Sequence, residues 1–407
     1  MIGTLSDAAP YVGYVYPNET DIPWGILIVI YPYITGLVAG AFTVSTFYHV
    51  FGVTRFKPVA RFALLTSLSF MIFVPVPLLL HLGRPERAFN VMLTPHLTSA
   101  FAAFGFFASF YVTLVMLEIW FAYREDIVVL AQKRKGLLGR FYRVLTLGSY
   151  EISETTRAYD AKWLKALAII GIVGAHGLHG YVGFVFGSLK SREWWSSDLM
   201  PVIFLVSAII SGIAIVIVLY VLTSRFRNTP IDRTCIKGLA YLLWGFLIFT
   251  VVLEFLEFAN MVYKGREGID TVMALVAGPL WFSIWVLQVG GSVAAFFILT
   301  YVIWRGSQDR QLVIGVTVSA LLILLAVLAM RWNIVIGGQE LSKTMQGLLF
   351  YTPPIRGREG LLTVATIITL PFGLLWVLTR LFPPWEESRE ASVVDVKATP
   401  RVGGHYD

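Results

Sequence analysis

Ionisable side chains are scarce within the long apolar runs of this 407-residue chain, and three pairs of them lie three positions apart. That spacing places both members of a pair on one face of a helix. Charged groups inside a membrane are costly, so they pair with each other or mark a functional site. The three pairs are His81 with Arg84, His176 with His179, and Glu254 with Glu257.

These side chains are suited to proton transfer and hydrogen bonding in apolar surroundings. Imidazole donates, accepts and titrates near neutral pH. Two neighbouring carboxylates at depth either protonate or find a cation such as Arg331. We therefore interpret Glu254 and Glu257 as a proton-transfer pair. Glu118, near one end of a run, is interpreted as a hydrated boundary residue.

A membrane-soluble quinone is the ligand that fits such a site best. Its carbonyl oxygens need hydrogen-bond donors, and its redox reaction moves two protons together with two electrons. Apolar and aromatic walls with a few placed polar groups are typical of small-molecule pockets. The residues predicted to form this quinone pocket, all near one membrane side, are Tyr31, His81, Arg84, His176, His179, Arg331 and Asn333.

The composition excludes a water-soluble domain. Hydrophobic side chains make up 57% of the chain, charged ones only 14%, and the mean hydropathy is +0.73. Because a bilayer-spanning helix needs roughly 20 apolar residues, we predict an all-α polytopic membrane protein. The lone cysteine, Cys235, excludes a disulfide framework and a cysteine-ligated iron–sulfur cluster.

Nine apolar runs predict nine transmembrane helices, and this odd number places the two termini on opposite sides. Most Lys and Arg side chains lie in one alternate set of loops, the set that contains Arg55, Lys133 and Arg225. The positive-inside rule then predicts an outside N-terminus and a cytoplasmic C-terminus in a prokaryotic inner membrane. The predicted spans are Trp24–Tyr48, Val59–Leu82, Thr98–Tyr123, Leu164–Phe186, Met200–Leu222, Gly238–Tyr263, Ala274–Trp304, Leu312–Met330 and Leu361–Phe382.

The stretch 124–162, on the predicted cytoplasmic side, alternates basic with apolar residues. It predicts either an amphipathic helix on the anionic inner leaflet or a solvated connector.

Several short strings resemble the NrfD/polysulfide reductase membrane-subunit family. The loop from His81 to Asn90 reads HLGRPERAFN, and the chain carries Ile-Pro-Trp-Gly at 22–25. The fourth run has its two histidines followed by Gly183, and the eighth ends in Arg-Trp-Asn before Gly-Gly-Gln at 337–339. Within the family these strings look most like the DsrP/HybB branch.

The resemblance implies a quinone-reactive subunit, binding menaquinone or ubiquinone, without haem or iron–sulfur clusters of its own. It also implies a ferredoxin-like iron–sulfur partner subunit docked at the outer face, near the quinone pocket. Some relatives place a histidine early in the first span, where this chain has Tyr31 and Tyr33.

The resemblance implies two four-helix bundles followed by one extra helix. We expect an extracytoplasmic segment over 1–23, the first bundle with its cytoplasmic connector over 24–187, and the second bundle over 188–336. An extracytoplasmic loop and the ninth helix follow over 337–382, and a polar cytoplasmic tail over 383–407.

Two other functions remain open from the sequence. A secondary transporter would use discontinuous helices, which Pro75 and Pro77 permit, with the carboxylate pair coupling protons to substrate. A haem b membrane anchor would bind haem through histidines of facing helices.

Overall fold

The computed structural model describes residues 21–385, except 97, 100, 266, 267 and 306–308. The predicted N-terminal segment up to residue 20 and the predicted tail from residue 386 lie outside this range.

Nine helices in the described part of the chain are long and apolar enough to cross a membrane. These residues form no β-strand, only an isolated bridge between Leu341 and Leu348. The prediction of an all-α polytopic membrane protein is therefore confirmed. Spans 1 to 9 are Ile26–His49, Thr54–His81, Phe104–Lys133, Glu154–Gly187, Met200–Arg227, Arg233–Tyr263, Phe282–Trp304, Asp309–Glu340 and Leu361–Leu381.

Two spans differ from their predicted form because proline interrupts them. Span 2 consists of the helices Lys57–Met71 and Pro75–His81, separated by a turn. Span 7 begins only at Phe282, because Gly278 and the proline after it separate it from a short helix, Ile269–Ala277. Proline supplies no backbone donor and clashes with the preceding helical turn, so both helices restart close to it.

The predicted amphipathic stretch over 124–162 is divided among three helices. Span 3 extends to Lys133 and span 4 begins at Glu154, where Ser153 and Thr156 form a capping box. Between them lies a separate helix, Gly136–Leu145, which we call the connector helix. Its Tyr142 hydroxyl donates to a carbonyl at the end of span 9, at 2.9 Å.

The spans form two rings of four that share a central seam. Spans 1 to 4 contact one another in a closed ring, as do spans 5 to 8, and span 9 packs against span 2. This is the expected arrangement of two four-helix bundles and an extra helix. Spans 1 and 5 join the bundles at the centre, where Gly40 lies so close to Gly212 that neither position has room for a Cβ atom. Small residues allow this close approach of two backbones.

Successive spans run in opposite directions, which defines two faces of the molecule. We call the face where span 1 begins the Trp24 face and the other the Arg61 face. At the Trp24 face, the Gln339 side chain donates to the Trp24 carbonyl at 2.8 Å and accepts from the Trp24 amide at 3.0 Å. The Trp24 ring also stacks on Trp195, with centroids 5.4 Å apart. These contacts fix the start of span 1, the end of span 8 and the loop before span 5 relative to each other.

Ion pairs hold the first bundle together at the Arg61 face. Arg61 pairs with Asp126, joining spans 2 and 3. The Arg124 Nε atom lies 2.6 Å from the Asp160 carboxylate, which joins spans 3 and 4. Deeper in span 3, Glu118 is only 1% exposed. It is therefore buried within the bundle, and the prediction of a hydrated boundary residue is wrong. The reason is that the helix continues well past Glu118, to Lys133.

Candidate functional site

Two irregular helical stretches bring polar side chains together between spans 7 and 8. Span 7 begins with a π-helical stretch, Phe282–Gly290, and span 8 contains another, Asn333–Gly337. A π-helical turn changes which side chains face a neighbouring helix, and such turns occur frequently at functional sites. Gln288 and Asn333, one from each stretch, are hydrogen-bonded to each other.

These two amides belong to a hydrogen-bonded relay of four side chains. The Ser283 hydroxyl donates to Asn333 Oδ1 at 2.5 Å, and Asn333 Nδ2 donates to Gln288 Oε1 at 2.7 Å. Gln288 Nε2 then donates to Glu254 Oε2 at 2.8 Å. Every donor in the relay points toward Glu254, so the relay favours a carboxylate as its final acceptor.

The relay lines a cleft of about 390 Å³ within the second bundle. Spans 5 to 8 and the loop before span 5 form its walls, which are mostly apolar and include Trp194 and Phe258. Phe255 and Trp285 also line it and are 66% and 45% exposed, so the cleft opens sideways between spans 6 and 7, toward lipid. A long, lipid-soluble molecule can enter such a cleft from the membrane.

Three of the predicted site residues line this cleft: Glu254, Glu257 and Asn333. Glu254 also borders a second cavity of about 10 Å³, together with Thr250 and Ser292. That volume is close to the space that one water molecule needs. Glu254 therefore lies between the cleft and a small, mostly apolar space in the same bundle.

Arg331 lies behind the cleft wall, at the seam between the bundles. Its side chain is fully buried, and its Nη2 atom donates to Ser207 Oγ at 2.6 Å and to His179 Nε2 at 3.2 Å. The guanidinium also lies over the Phe204 ring, 4.0 Å from its centroid. Arg331 thus joins spans 4, 5 and 8 and lies between the cleft and the first bundle.

His179 and His176 lie outside the cleft, on span 4. His179 is fully buried against Arg331. The His176 Nδ1 atom lies 2.7 Å from the Ile172 carbonyl, and its Nε2 atom lies 3.4 Å from Thr43 Oγ1 on span 1. The two imidazoles therefore face the seam and span 1, not the cleft.

The other three predicted pocket residues lie in the first bundle or its loops. Tyr31 is buried with its ring edge-on to Phe104, centroids 5.8 Å apart. His81 Nδ1 lies 3.0 Å from Glu359 Oε1 in the loop before span 9. Arg84 is exposed in the loop after span 2. The structure does not bring these three to the cleft, and a quinone contact for each stays a prediction.

Sequence reasoning missed Gln288 and Ser283, which complete the relay. Both are uncharged and lie in an ordinary apolar run, so a search for ionisable groups passes over them. The signal that was available is the amide itself: Gln288 is the one Asn or Gln side chain between Phe282 and Trp304. An amide at membrane depth needs hydrogen-bond partners from neighbouring helices.

Metal-binding side chains are not clustered in the described part of the chain. Among residues 21–385, with the gaps given above, no group of three or more His, Cys, Asp or Glu side chains could hold a metal ion. Cys235 is buried at the start of span 6.

Comparison with known proteins places this architecture in a family. The family model described as "Polysulphide reductase, NrfD" matches residues 15–342. A selenate reductase subunit of Mesobacillus selenatarsenatis is 30% identical over 93% of this chain and 90% of its own length. The Hdr-like menaquinol oxidoreductase integral membrane subunit of Archaeoglobus fulgidus is 24% identical over 92% of this chain and 88% of its own. Protein NrfD of Escherichia coli is 25% identical over 64% of this chain and 78% of its own.

The family match covers most of the chain, and the first of these relatives aligns over nearly its whole length. The strings that carried the resemblance in the sequence fall on the Trp24 face and the ends of spans 2, 4 and 8. With its nine spans in the described residues, the chain therefore belongs to the polysulphide reductase NrfD family of multi-pass membrane proteins.

Proposed function

We propose that this chain is the quinone-reactive membrane subunit of a respiratory oxidoreductase and that the quinone head group binds in the cleft of the second bundle. The relatives named above include subunits of a selenate reductase and of a menaquinol oxidoreductase. The observation that carries the proposal is an apolar cleft, open toward lipid, whose polar relay ends on a carboxylate.

The residues of the cleft have different roles, according to the chemistry of their side chains. Its apolar and aromatic walls hold the ring, and Asn333 offers amide donor and acceptor groups to a carbonyl or hydroxyl oxygen. When a quinol is oxidised, two protons and two electrons leave it. Glu254 and Glu257 accept the protons as general bases. The electrons pass to a partner subunit, which we take to be a ferredoxin-like iron–sulfur protein.

We place that partner at the Trp24 face, outside the cytoplasmic membrane, with the C-terminus of this chain in the cytoplasm. The basic residues support this orientation, since loops at the Arg61 face contain most of them. The cleft lies in the half of the second bundle nearer the Trp24 face, where Glu257, Asn333 and the loop residue Trp194 line it. A partner subunit at the Trp24 face would therefore be closer to the quinone cleft than one at the Arg61 face, which favours electron transfer between them.

Photo-crosslinking tests the location of the quinone. The purified chain in lipid nanodiscs is illuminated with an azido-naphthoquinone or an azido-ubiquinone analogue, and labelled peptides are mapped by mass spectrometry. We expect labels on span 6 around Phe255 and on span 7 around Trp285, and competition by unlabelled quinone. Labels confined to peptides that contain Tyr31 or His81 would indicate a site in the first bundle. If unlabelled quinone does not reduce the labelling anywhere, quinone binding is refuted.

Turnover tests the roles of the carboxylates. In the native complex, Glu254→Gln is expected to lower the rate of quinol oxidation at least about tenfold, because the relay then lacks its proton acceptor. Glu118→Gln is the matched control, since it removes a buried carboxylate from the first bundle, away from the cleft. Equal rates for wild type and Glu254→Gln would refute the proton-transfer role.

A further inference from the structure

The connector helix, Gly136–Leu145, has an exposed apolar face. Leu137, Phe141 and Val144 follow one another at intervals of four and three residues, so they share one side of the helix. Leu137 is 84% exposed and Val144 is 71% exposed. This helix lies outside the nine spans, and an exposed apolar patch there indicates contact with a membrane surface or with another protein.

Basic side chains run along one edge of this face. Arg140 and Arg143 are three positions apart on the connector helix, and both are exposed. Between Asp126 and Glu151 the sequence contains five basic residues and no acidic one. A helix with an apolar face and a positive edge complements an anionic lipid surface, which is apolar inside and negatively charged outside.

Two hydrogen bonds fix the depth of the connector helix. On span 3, Trp120 Nε1 donates to the Leu145 carbonyl at 2.8 Å. The Tyr142 hydroxyl donates to the Leu381 carbonyl, where span 9 ends. The C-terminal end of the connector helix therefore lies at the level where the apolar part of span 9 ends, which is the membrane boundary at the Arg61 face. Tryptophan and tyrosine side chains are typical of such a boundary.

The connector helix runs back along span 3 toward this boundary. Span 3 ends at Lys133, and the end of the connector helix is bonded to Trp120, about 20 Å back along span 3. Val144 is therefore the deepest residue of the apolar face, and Leu137 lies up to about 10 Å farther from the hydrocarbon. The headgroup layer on each side of a bilayer is about 5–8 Å thick. The helix thus crosses this layer, with its two arginines near the level of the lipid phosphates.

We propose that the connector helix is an anionic phospholipid site. Acyl chains cover the face formed by Leu137, Phe141 and Val144, and Arg140 and Arg143 bind the lipid phosphate through guanidinium hydrogen bonds. Of the two interpretations that the sequence left open for this stretch, the exposed apolar face favours the membrane helix over the solvated connector. The site lies on the first bundle and requires neither quinone nor turnover.

Fluorescence quenching tests where the apolar face lies. A fluorophore is attached at Val144→Cys or Leu137→Cys in the full-length chain, in which Cys235, itself buried, is replaced by Cys235→Ala. The labelled chain is placed in lipid nanodiscs, where buffer reaches both faces. Brominated lipids quench a label among acyl chains, and iodide quenches a label in water. We expect strong quenching by brominated lipid at position 144 and weaker quenching at position 137.

Two results would overturn the membrane location. Quenching of both labels by iodide alone would assign the face to a soluble partner. Weak quenching by both agents would show that another segment of this chain covers it.

The label at position 144 also tests the lipid class. Quenching by brominated phosphatidylglycerol is compared with quenching by brominated phosphatidylcholine at equal mole fractions, and we expect a preference for phosphatidylglycerol. Each basic side chain near the surface strengthens binding to anionic lipid about fivefold. The double variant Arg140→Gln with Arg143→Gln should therefore lower the relative association constant at least about tenfold.

The double variant Arg225→Gln with Arg310→Gln is the matched control. It removes the same charge from exposed positions at the same face, at the end of span 5 and the start of span 8. It should leave the preference at position 144 unchanged. An equal loss in this control, or equal quenching of the wild-type label by both lipids, would refute an anionic lipid site at the connector helix.

Discussion

Gln288 is the residue whose replacement tests the relay most directly, because it is bonded on both sides. Gln288→Met keeps a similar length and removes both hydrogen bonds, at 2.7 Å to Asn333 and 2.8 Å to Glu254. Hydrogen bonds between membrane helices contribute about 0.6 kcal/mol on average and about 1.7 kcal/mol at most. Two of them give an expected loss of about 1–3 kcal/mol in the free energy of unfolding, measured by denaturation in detergent.

The same change should slow the reaction. A loss of about 1.4 kcal/mol in positioning Glu254 for proton transfer corresponds to a tenfold lower rate. We therefore expect kcat for quinol oxidation by the complex to fall about tenfold, with a smaller change in KM, because Gln288 positions the base and the apolar walls that hold the ring are unchanged.

Thr300→Val is the matched control. It removes the hydrogen bond from Trp244 Nε1 to Thr300 Oγ1, 2.9 Å long, which also joins spans 6 and 7 but lies outside the cleft. It should cost stability and leave kcat unchanged. If Gln288→Met loses stability but retains the wild-type kcat, the relay only holds the helices together, and the reasoning about proton transfer is refuted.

Three further predictions concern the scaffold. Gly212→Ala should lower the free energy of unfolding by about 1–3 kcal/mol, since its Cβ would overlap the backbone of span 1, whereas Gly177→Ala, which has open space, should not lower it. Burial raises the pKa of Tyr142 above its usual 10. The stability that the neutral hydroxyl contributes is therefore complete below pH 10 and is lost as pH rises through the folded-state pKa. In unfolding measured at increasing alkaline pH, Tyr142→Phe should abolish this pH-dependent loss of stability. His81→Ala should change the unfolding free energy by less than about 1 kcal/mol, because its pair with Glu359 is partly exposed, and should leave crosslinking at the cleft intact.

The spans were predictable because apolar length is a local property of the sequence. The breaks within spans depend on local backbone chemistry. Hydropathy therefore predicted single helices where the structure has two. Pro75 marks the break in span 2, and Gly278 marks the late start of span 7. Whether Glu118 is a boundary residue or a buried one depends on where span 3 ends. Hydropathy placed this end at Tyr123, whereas the structure places it at Lys133.

The candidate site was predictable only in part, because its members come from helices far apart in sequence. The pairing of Glu254 with Glu257 on one helical face follows from their spacing, and both line the cleft. The contact of Arg331 with His179 spans 152 residues, and no spacing rule gives it. Residues at a similar depth in the membrane were interpreted as one pocket. Depth, however, does not determine the direction in which a side chain points from its helix. Tyr31, for example, contacts Phe104 of span 3 instead of the cleft.

The seam between spans 1 and 5 has a consequence for biosynthesis. Span 1 is shielded on all sides in the finished protein, yet the helix that covers its Gly40 face is made only after three others have been threaded into the bilayer. Until then, that glycine-containing groove must face acyl chains or an insertion chaperone. Stalled chains whose span 5 has not yet entered the bilayer should therefore be more sensitive to protease than longer stalled chains in which span 5 has entered it.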